Sequence, residues 1–115
     1  MIARIWHGAV QTPRKDAYYD YMMKTGVPWY KSLEGNRGVL VLQKTSPETT
    51  DFLLLSFWDS MDAVRKFAGE NPEQAVYNFG EDKDFLLEME SKVDHYEIRS
   101  GFLSGGVPPR SGPTP

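Results

Sequence analysis

Residues 51–60 read DFLLLSFWDS. A strand with one face in water alternates apolar and polar residues, yet Phe52, Leu53, Leu54, Leu55, Phe57 and Trp58 are interrupted only by Ser56. Such a strand needs cover on both faces. It ends in Trp58. Ser60 then stands where a helix cap belongs, ahead of an apolar stripe of Met61, Val64, Phe67 and Ala68 with Gly69 as the stop.

Working toward the N-terminus, SPETT is a turn and VLVLQKT a second strand, set off by the GNRG punctuation. MIARIWHGAV reads as the first strand, closed by QTP. Thr12 is placed to cap a helix with Pro13 in its first turn, and the 14–25 segment puts Tyr18, Tyr21 and Met22 on one side before Gly26 ends it. VPWYKSLEG continues irregularly or as a further turn. Toward the C-terminus, Asn71 and Pro72 open a short helix over PEQAVY, the acidic GEDKD leads into FLLEME, and KVDHYEIR is the last strand. The domain therefore spans 1–99. Residues 100–115, rich in Gly, Pro and Ser, read as a mobile tail.

The order β-α-β-β-α-β with an extra short helix is that of an α+β, ferredoxin-like domain. Its first and third strands are expected side by side and parallel at the sheet centre, with both helices on one face. The second face has no cover within the chain. Leaving about five large apolar side chains of VLVL and FLLLSFW in water forfeits roughly 1.5–3 kcal/mol each, against a domain stability of about 5–15 kcal/mol. A homodimer closing two sheets into an α/β barrel is the expected remedy.

The totals exclude much. Hydrophobic residues are 40%, charged residues 25% and net charge −3, with no basic patch interleaved with aromatics, so nucleic acid is not expected as a partner. The absence of cysteine removes disulfides, zinc-thiolate sites and thiol nucleophiles. No metal-ligand spacing appears, and there is no phosphate loop, dinucleotide fingerprint or serine elbow. With no leader and no run of roughly 18 apolar residues, the expectation is a soluble cytoplasmic protein with no membrane partner.

FLLLSFWDSMDAVRKFAG is similar to the strand-Trp-acid-Ser-helix motif of the antibiotic biosynthesis monooxygenase superfamily, the dimeric α/β-barrel proteins, and the element order from Met1 to about Arg99 matches as well. The resemblance implies a pocket between sheet and helices. In the cofactor-free members an ionisable substrate there reacts directly, as its anion, with dioxygen. Haem-degrading members use a first-strand Asn, a Trp ending the third strand and a second-helix His. This chain keeps Trp58 and has His7 near the Asn position, but it has no His between Ser60 and Tyr77, so haem is an alternative cofactor and not the favoured one.

The candidate catalytic residues are accordingly His7, Trp58 and His95. Parallel central strands bring His7 and Trp58 to one pocket, whereas the bland readings are a half-buried strand histidine and a core tryptophan. His95 is a general base if it faces the helices and an interface residue if it faces the partner. The Trp58 indole N–H suits a developing oxyanion, with Arg4 and Arg37 as further candidates. Tyr18, Met22, Trp29, Phe67, Tyr77 and Phe85 are expected to line a flat substrate pocket, and Glu81, Asp82 and Asp84 to form a solvated loop. The expected function is cofactor-independent monooxygenation of a small aromatic or enolisable hydrophobic molecule. The alternatives are a non-catalytic ligand-binding or stress-response dimer, a haem-binding relative, and an isomerase or cyclase on the same scaffold.

Overall fold

In the computed structural model, which describes residues 1–102, the central strand is β3, Thr49–Trp58. It is flanked by β2, Asn36–Thr45, and by β1, Ile2–Gln11, and β4, Asp94–Glu97, adds to the far side of β1 to give the order β2-β3-β1-β4. All neighbours are antiparallel. This corrects the expected parallel pairing of the first and third strands. The helical crossover after β1 makes β2 run the same way as β1; the hairpin then reverses the chain, so β3 opposes both. The architecture is the α+β ferredoxin-like one.

A 3-10 turn, Thr12–Arg14, leads into α1, Lys15–Lys24, and α2, Gly26–Ser32, continues from it. α3, Met61–Ala68, follows the hairpin strand as its stripe requires, with Ser60 Oγ accepting from the Ala63 amide at 3.2 Å. Gly35 lets α3 approach β2. Its φ is +84°, and a Cβ there would stand 2.6 Å from that of Ala63.

The helix expected over 72–77 is absent, because the backbone groups of this stretch bond outward. The carbonyls of Pro72 and Gln74 accept from Arg4, and the Ala75 amide and Glu73 carbonyl pair with Ser91 and Val93. The short extra helix is instead α4, Asp82–Phe85, inside the acidic run. Of the tail expected over 100–115, residues 103–115 lie outside the described residues.

Residue parity sorts the sheet cleanly. Arg4, Trp6 and Val10 of β1 and Phe52, Leu54, Ser56 and Trp58 of β3 are buried beneath the helices, around a core that includes Tyr18, Met22, Tyr30 and Val64. Ile5, His7, Leu53, Leu55 and Phe57, with Leu40 and Leu42 across from β3, occupy the opposite face. No element of the described chain covers it, and Leu42 and Leu53 remain 41% and 37% exposed.

Candidate functional site

A cleft opens between the helix face of the sheet and α1 and α2. Arg4, Trp6 and Leu54 form its floor, and Tyr18, Tyr21, Met22, Trp29 and Tyr30 one wall. The irregular 76–79 segment and Asp82 close the other wall. The cavity is about 50 Å³, room for little more than a water molecule. A wider hollow of about 690 Å³ lies outside it, sharing Tyr21, Thr25, Asn78 and Phe79 with the cleft. Phe79 lines both spaces and meets Trp29 of the cleft wall edge to face, with centroids 5.8 Å apart.

Arg4 dominates the chemistry. It is 2% exposed, and among the described residues it has no carboxylate within ion-pair distance. Nη1 donates to Pro72 O at 2.6 Å and to His95 Nε2 at 3.0 Å, and Nη2 donates to Gln74 O at 2.9 Å. Nε–H and one Nη2 hydrogen are left over. The guanidinium also lies 5.2 Å from the Phe67 ring centroid. Burial lowers its pKa from the ordinary value, which for arginine still leaves the group charged. A buried cation whose partners are neutral dipoles leaves a positive potential at the cleft floor.

Asp82 stands in the wall of the same cleft that has Arg4 at its floor. Its Oδ1 accepts from Tyr18 Oη at 3.0 Å, and burial raises its pKa more than that hydrogen bond lowers it. The Tyr18 phenol is pushed up in turn, first by burial and then by the Asp82 charge. Burial likewise pushes Tyr30 up to about 12. Both phenols are therefore neutral donors at neutral pH. The Tyr21 hydroxyl is buried without a partner. Trp6 Nε1 donates to Tyr77 Oη at 3.0 Å, and the indole lies so close over Gly8 that a Cβ there would sit 2.3 Å from its Cη2.

The three residues nominated as catalytic are not brought together. His7 pairs with Leu53, five positions from the Ile2–Trp58 pair, and faces the open side of the sheet, where Nδ1 meets Glu90 at 2.6 Å and Nε2 meets Asp51 at 2.8 Å. The shared pocket expected for His7 and Trp58 followed from the parallel pairing, and disappears with it. Trp58 is fully buried, stacked on Phe67 at 5.0 Å, and its Nε1 donates to Ser56 Oγ at 2.9 Å. His95 does lie on the helix side, but behind Arg4 rather than in the cleft wall. Burial and the Arg4 charge both depress its pKa, so it is a neutral acceptor for Nη1. Neither histidine offers the cleft a free nitrogen, so the residues present do not fit histidine ligation of haem iron there. Among the described residues no cluster of His, Cys, Asp or Glu is arranged for a metal ion, and no helix is long and apolar enough to cross a membrane.

Of the expected substrate-binding residues, Tyr18, Met22, Trp29 and Tyr77 do line the cleft. Phe67 lies in the core between Trp29, Tyr30 and Trp58, and Phe85 lines the outer hollow. The sequence reading undervalued Arg4 and missed Asp82. The signal for Arg4 was its even position, shared with Trp6, on a strand whose even residues are otherwise core. Asp82 left no such signal.

Comparison with known proteins agrees with this architecture. No family model matches the chain, and no curated protein matches it. Among solved structures, a Nitrosomonas europaea protein described as a "putative antibiotic biosynthesis monooxygenase" is similar with a TM-score of 0.62 at 19% identity, over 85% of this chain and 98% of that one. A Deinococcus radiodurans protein of the same description is similar with a TM-score of 0.57 at 16% identity, over 90% and 97%. A conserved protein of Methanosarcina mazei reaches 0.56 at 17% identity, over 86% and 94%. The resemblance carried by the strand-Trp-Ser-helix motif is thus matched in three dimensions, and the chain has the fold of these structures, two of them described as "putative antibiotic biosynthesis monooxygenase".

Proposed function

We propose that the chain is a cofactor-independent monooxygenase-like protein, working as a cytoplasmic homodimer on a small aromatic or enolisable substrate that reacts as its anion. The observation that carries this reading is Arg4, a buried cation with no carboxylate in ion-pair contact among the described residues, at the floor of an aromatic cleft. A phenolate or enolate supplies the missing charge, and its ring suits the Trp29, Tyr30 and Trp6 surfaces. Asp82 is the base in this scheme, replacing His7 and His95 in that role. Its raised pKa makes it a better proton acceptor than an ordinary carboxylate, and Tyr18 orients it.

The chemistry balances without a cofactor. The substrate anion gives one electron to dioxygen, radical and superoxide combine, and the peroxide breaks its O–O bond. One oxygen atom stays in the quinone or ketone. The other leaves as water with the two hydrogens the substrate loses. The protein's part is to favour the anion and to exclude water from it. Because the resting cavity is small, entry requires Trp29 and Phe79 to separate, with the outer hollow as the mouth.

The dimer reading rests on the apolar open face of the sheet, where Leu42 and Leu53 are exposed and Leu40, Leu55 and Phe57 are half-buried in one chain.

The test is oxygen uptake with a panel of polyphenols and enolisable diketones, alongside Trp fluorescence titration of the same compounds. The expected result is uptake by the native protein. Asp82→Asn lowers the rate about 100-fold or more while binding is retained. Arg4→Met weakens anion binding by about 10- to 100-fold, the value of a charged hydrogen bond. A second reading, a non-catalytic ligand-binding dimer, is favoured by the absence of any histidine from the cleft. Saturable binding with no oxygen uptake decides for it, and product formed without oxygen consumption decides for an isomerase or cyclase.

A further inference from the structure

The cluster formed by His7, Asp51 and Glu90 lies on the sheet face away from the cleft and takes no part in the proposed chemistry. Both ring nitrogens stand within 2.8 Å of a carboxylate oxygen. Only an imidazolium donates at both; in the neutral ring one lone pair points at a carboxylate. Partial burial lowers the His7 pKa, but the hydrogen bonds and charges of Asp51 and Glu90 outweigh it and the net direction is up.

The two anchors differ. Asp51 is held in the β1–β3 ladder, paired with Ala9, whereas Glu90 belongs to the irregular 86–93 segment that bulges from the edge of β1. That segment touches the sheet at Leu86 and Leu87 and again from Asp94 onward, while Ser91 to Val93 pair with residues 73–75. Glu90 is the part between these attachments that reaches the open face. Its backbone faces the other way. The Glu90 carbonyl accepts from Tyr77 Oη at 2.6 Å, and Tyr77 Oη accepts from Trp6 Nε1 at 3.0 Å in the cleft. A chain of three contacts thus joins the open face to the cleft: imidazole to carboxylate, carbonyl to phenol, phenol to indole.

We propose that His7 is a positioning residue, a proton-operated clamp that, when protonated, ties Glu90 to the sheet and so holds Tyr77 and the Trp6 indole in place in the cleft wall. Loss of the proton replaces one attraction with a repulsion, and the arm that yields is the irregular one. Folded-state stabilisation by the clamp is complete below the unfolded histidine pKa of about 6.5 and is lost as pH rises through the higher folded value. The charged groups facing His7 are Asp51 from β3, Glu90 from the bulge, and Lys44 from β2, which lines a hollow on the open face together with His7, Asp51, Leu42 and Leu53; Asp94 of β4, opposite Ile5, shares the face.

The clamp does not depend on what the cleft binds, and no substrate is needed to test it. The chain has two histidines and three tryptophans, so two imidazole titrations and three indole N–H signals are resolvable by ¹⁵N NMR. The titration is run with the full chain in an Asp82→Asn background, which removes one of the two further carboxylates, Asp82 and Glu88, whose charges act on Tyr77. The Trp6 indole N–H is expected to shift with the midpoint of His7, the higher of the two imidazoles, while the Trp29 and Trp58 signals stay flat. In Glu90→Ala, which keeps the carbonyl and drops the anchor, the Trp6 shift disappears and the His7 midpoint falls; Glu90→Gln restores part of both. A Trp6 signal flat through the His7 titration, or one that moves equally in Glu90→Ala, overturns the clamp. So does a common shift of all three indoles, which reports a change of the whole molecule.

Discussion

Ser56 is the polar interruption in an otherwise apolar strand, and its partner explains it. A fully buried indole N–H needs an acceptor, and Ser56 Oγ, two positions back on the same face, supplies one at 2.9 Å. Ser56→Ala leaves the Trp58 N–H unpaired in the core, which costs about 1–3 kcal/mol. Urea unfolding is expected to show that loss, with Trp58 emission changed in the folded state. Asp82 works in the opposite sense. Its folded pKa is raised, so its favourable contribution is present below the unfolded value of about 3.9 and lost as pH rises through the folded one. Asp82→Asn is therefore expected to leave the melting temperature at pH 7 unchanged or higher, with the difference from native shrinking on acidification. A lower melting temperature at pH 7 contradicts the assignment of Asp82 as a strained, base-like carboxylate.

At the scale of the element, α3 shows how local signals and packing cooperate. Its stripe seats Ala63 and Val64 on the sheet, and Ser60 satisfies one free amide at its start. Ser60→Ala removes that cap and is expected to cost about 1 kcal/mol by thermal or chemical unfolding. The 72–77 stretch shows local signals overruled. Asn71 and Pro72 are good helix openers, but the buried Arg4 guanidinium requires acceptors, and the carbonyls of Pro72 and Gln74 are the ones the fold brings to it. A helix there would direct these carbonyls along its own axis. The strand pattern of 92–99 is similarly shortened to Asp94–Glu97, because Lys92 and Val93 pair with the 73–74 turn instead of with β1.

At the scale of the molecule, the apolar sheet face opposite the helices stays open in a single chain, with Leu42 and Leu53 exposed on it. Pairing two such faces completes the burial of side chains already half-covered or more, with Leu42 and Leu53, 41% and 37% exposed, gaining about 1 kcal/mol each. Sedimentation of the native protein at micromolar concentration is expected to give two chains per particle, and Leu42→Asp combined with Leu53→Asp to give one folded chain with its circular dichroism retained. A native single chain rules out the dimer. The same experiment separates face from cleft, since both substituted residues lie on the side of the sheet opposite Arg4.

Element order, the caps of α3, the helix-covered sheet and the apolar second face were all legible in the sequence by itself. Each is a matter of short-range periodicity or of composition: Phe52 to Trp58 announces a strand apolar on both faces, and Ser60 to Gly69 a capped amphipathic helix. The resemblance to the antibiotic biosynthesis monooxygenase fold came from the same stretch. Only the tertiary structure decided which side chains meet. Strand parity places His7 and Arg4 on opposite faces, but which face is the cleft depends on pairing direction and register, and these are set by contacts between residues dozens of positions apart. Asp82 reached the cleft for the same reason: a hydrogen bond to Tyr18, 64 residues away, turns an acidic loop inward, and no local pattern encodes a contact of that span.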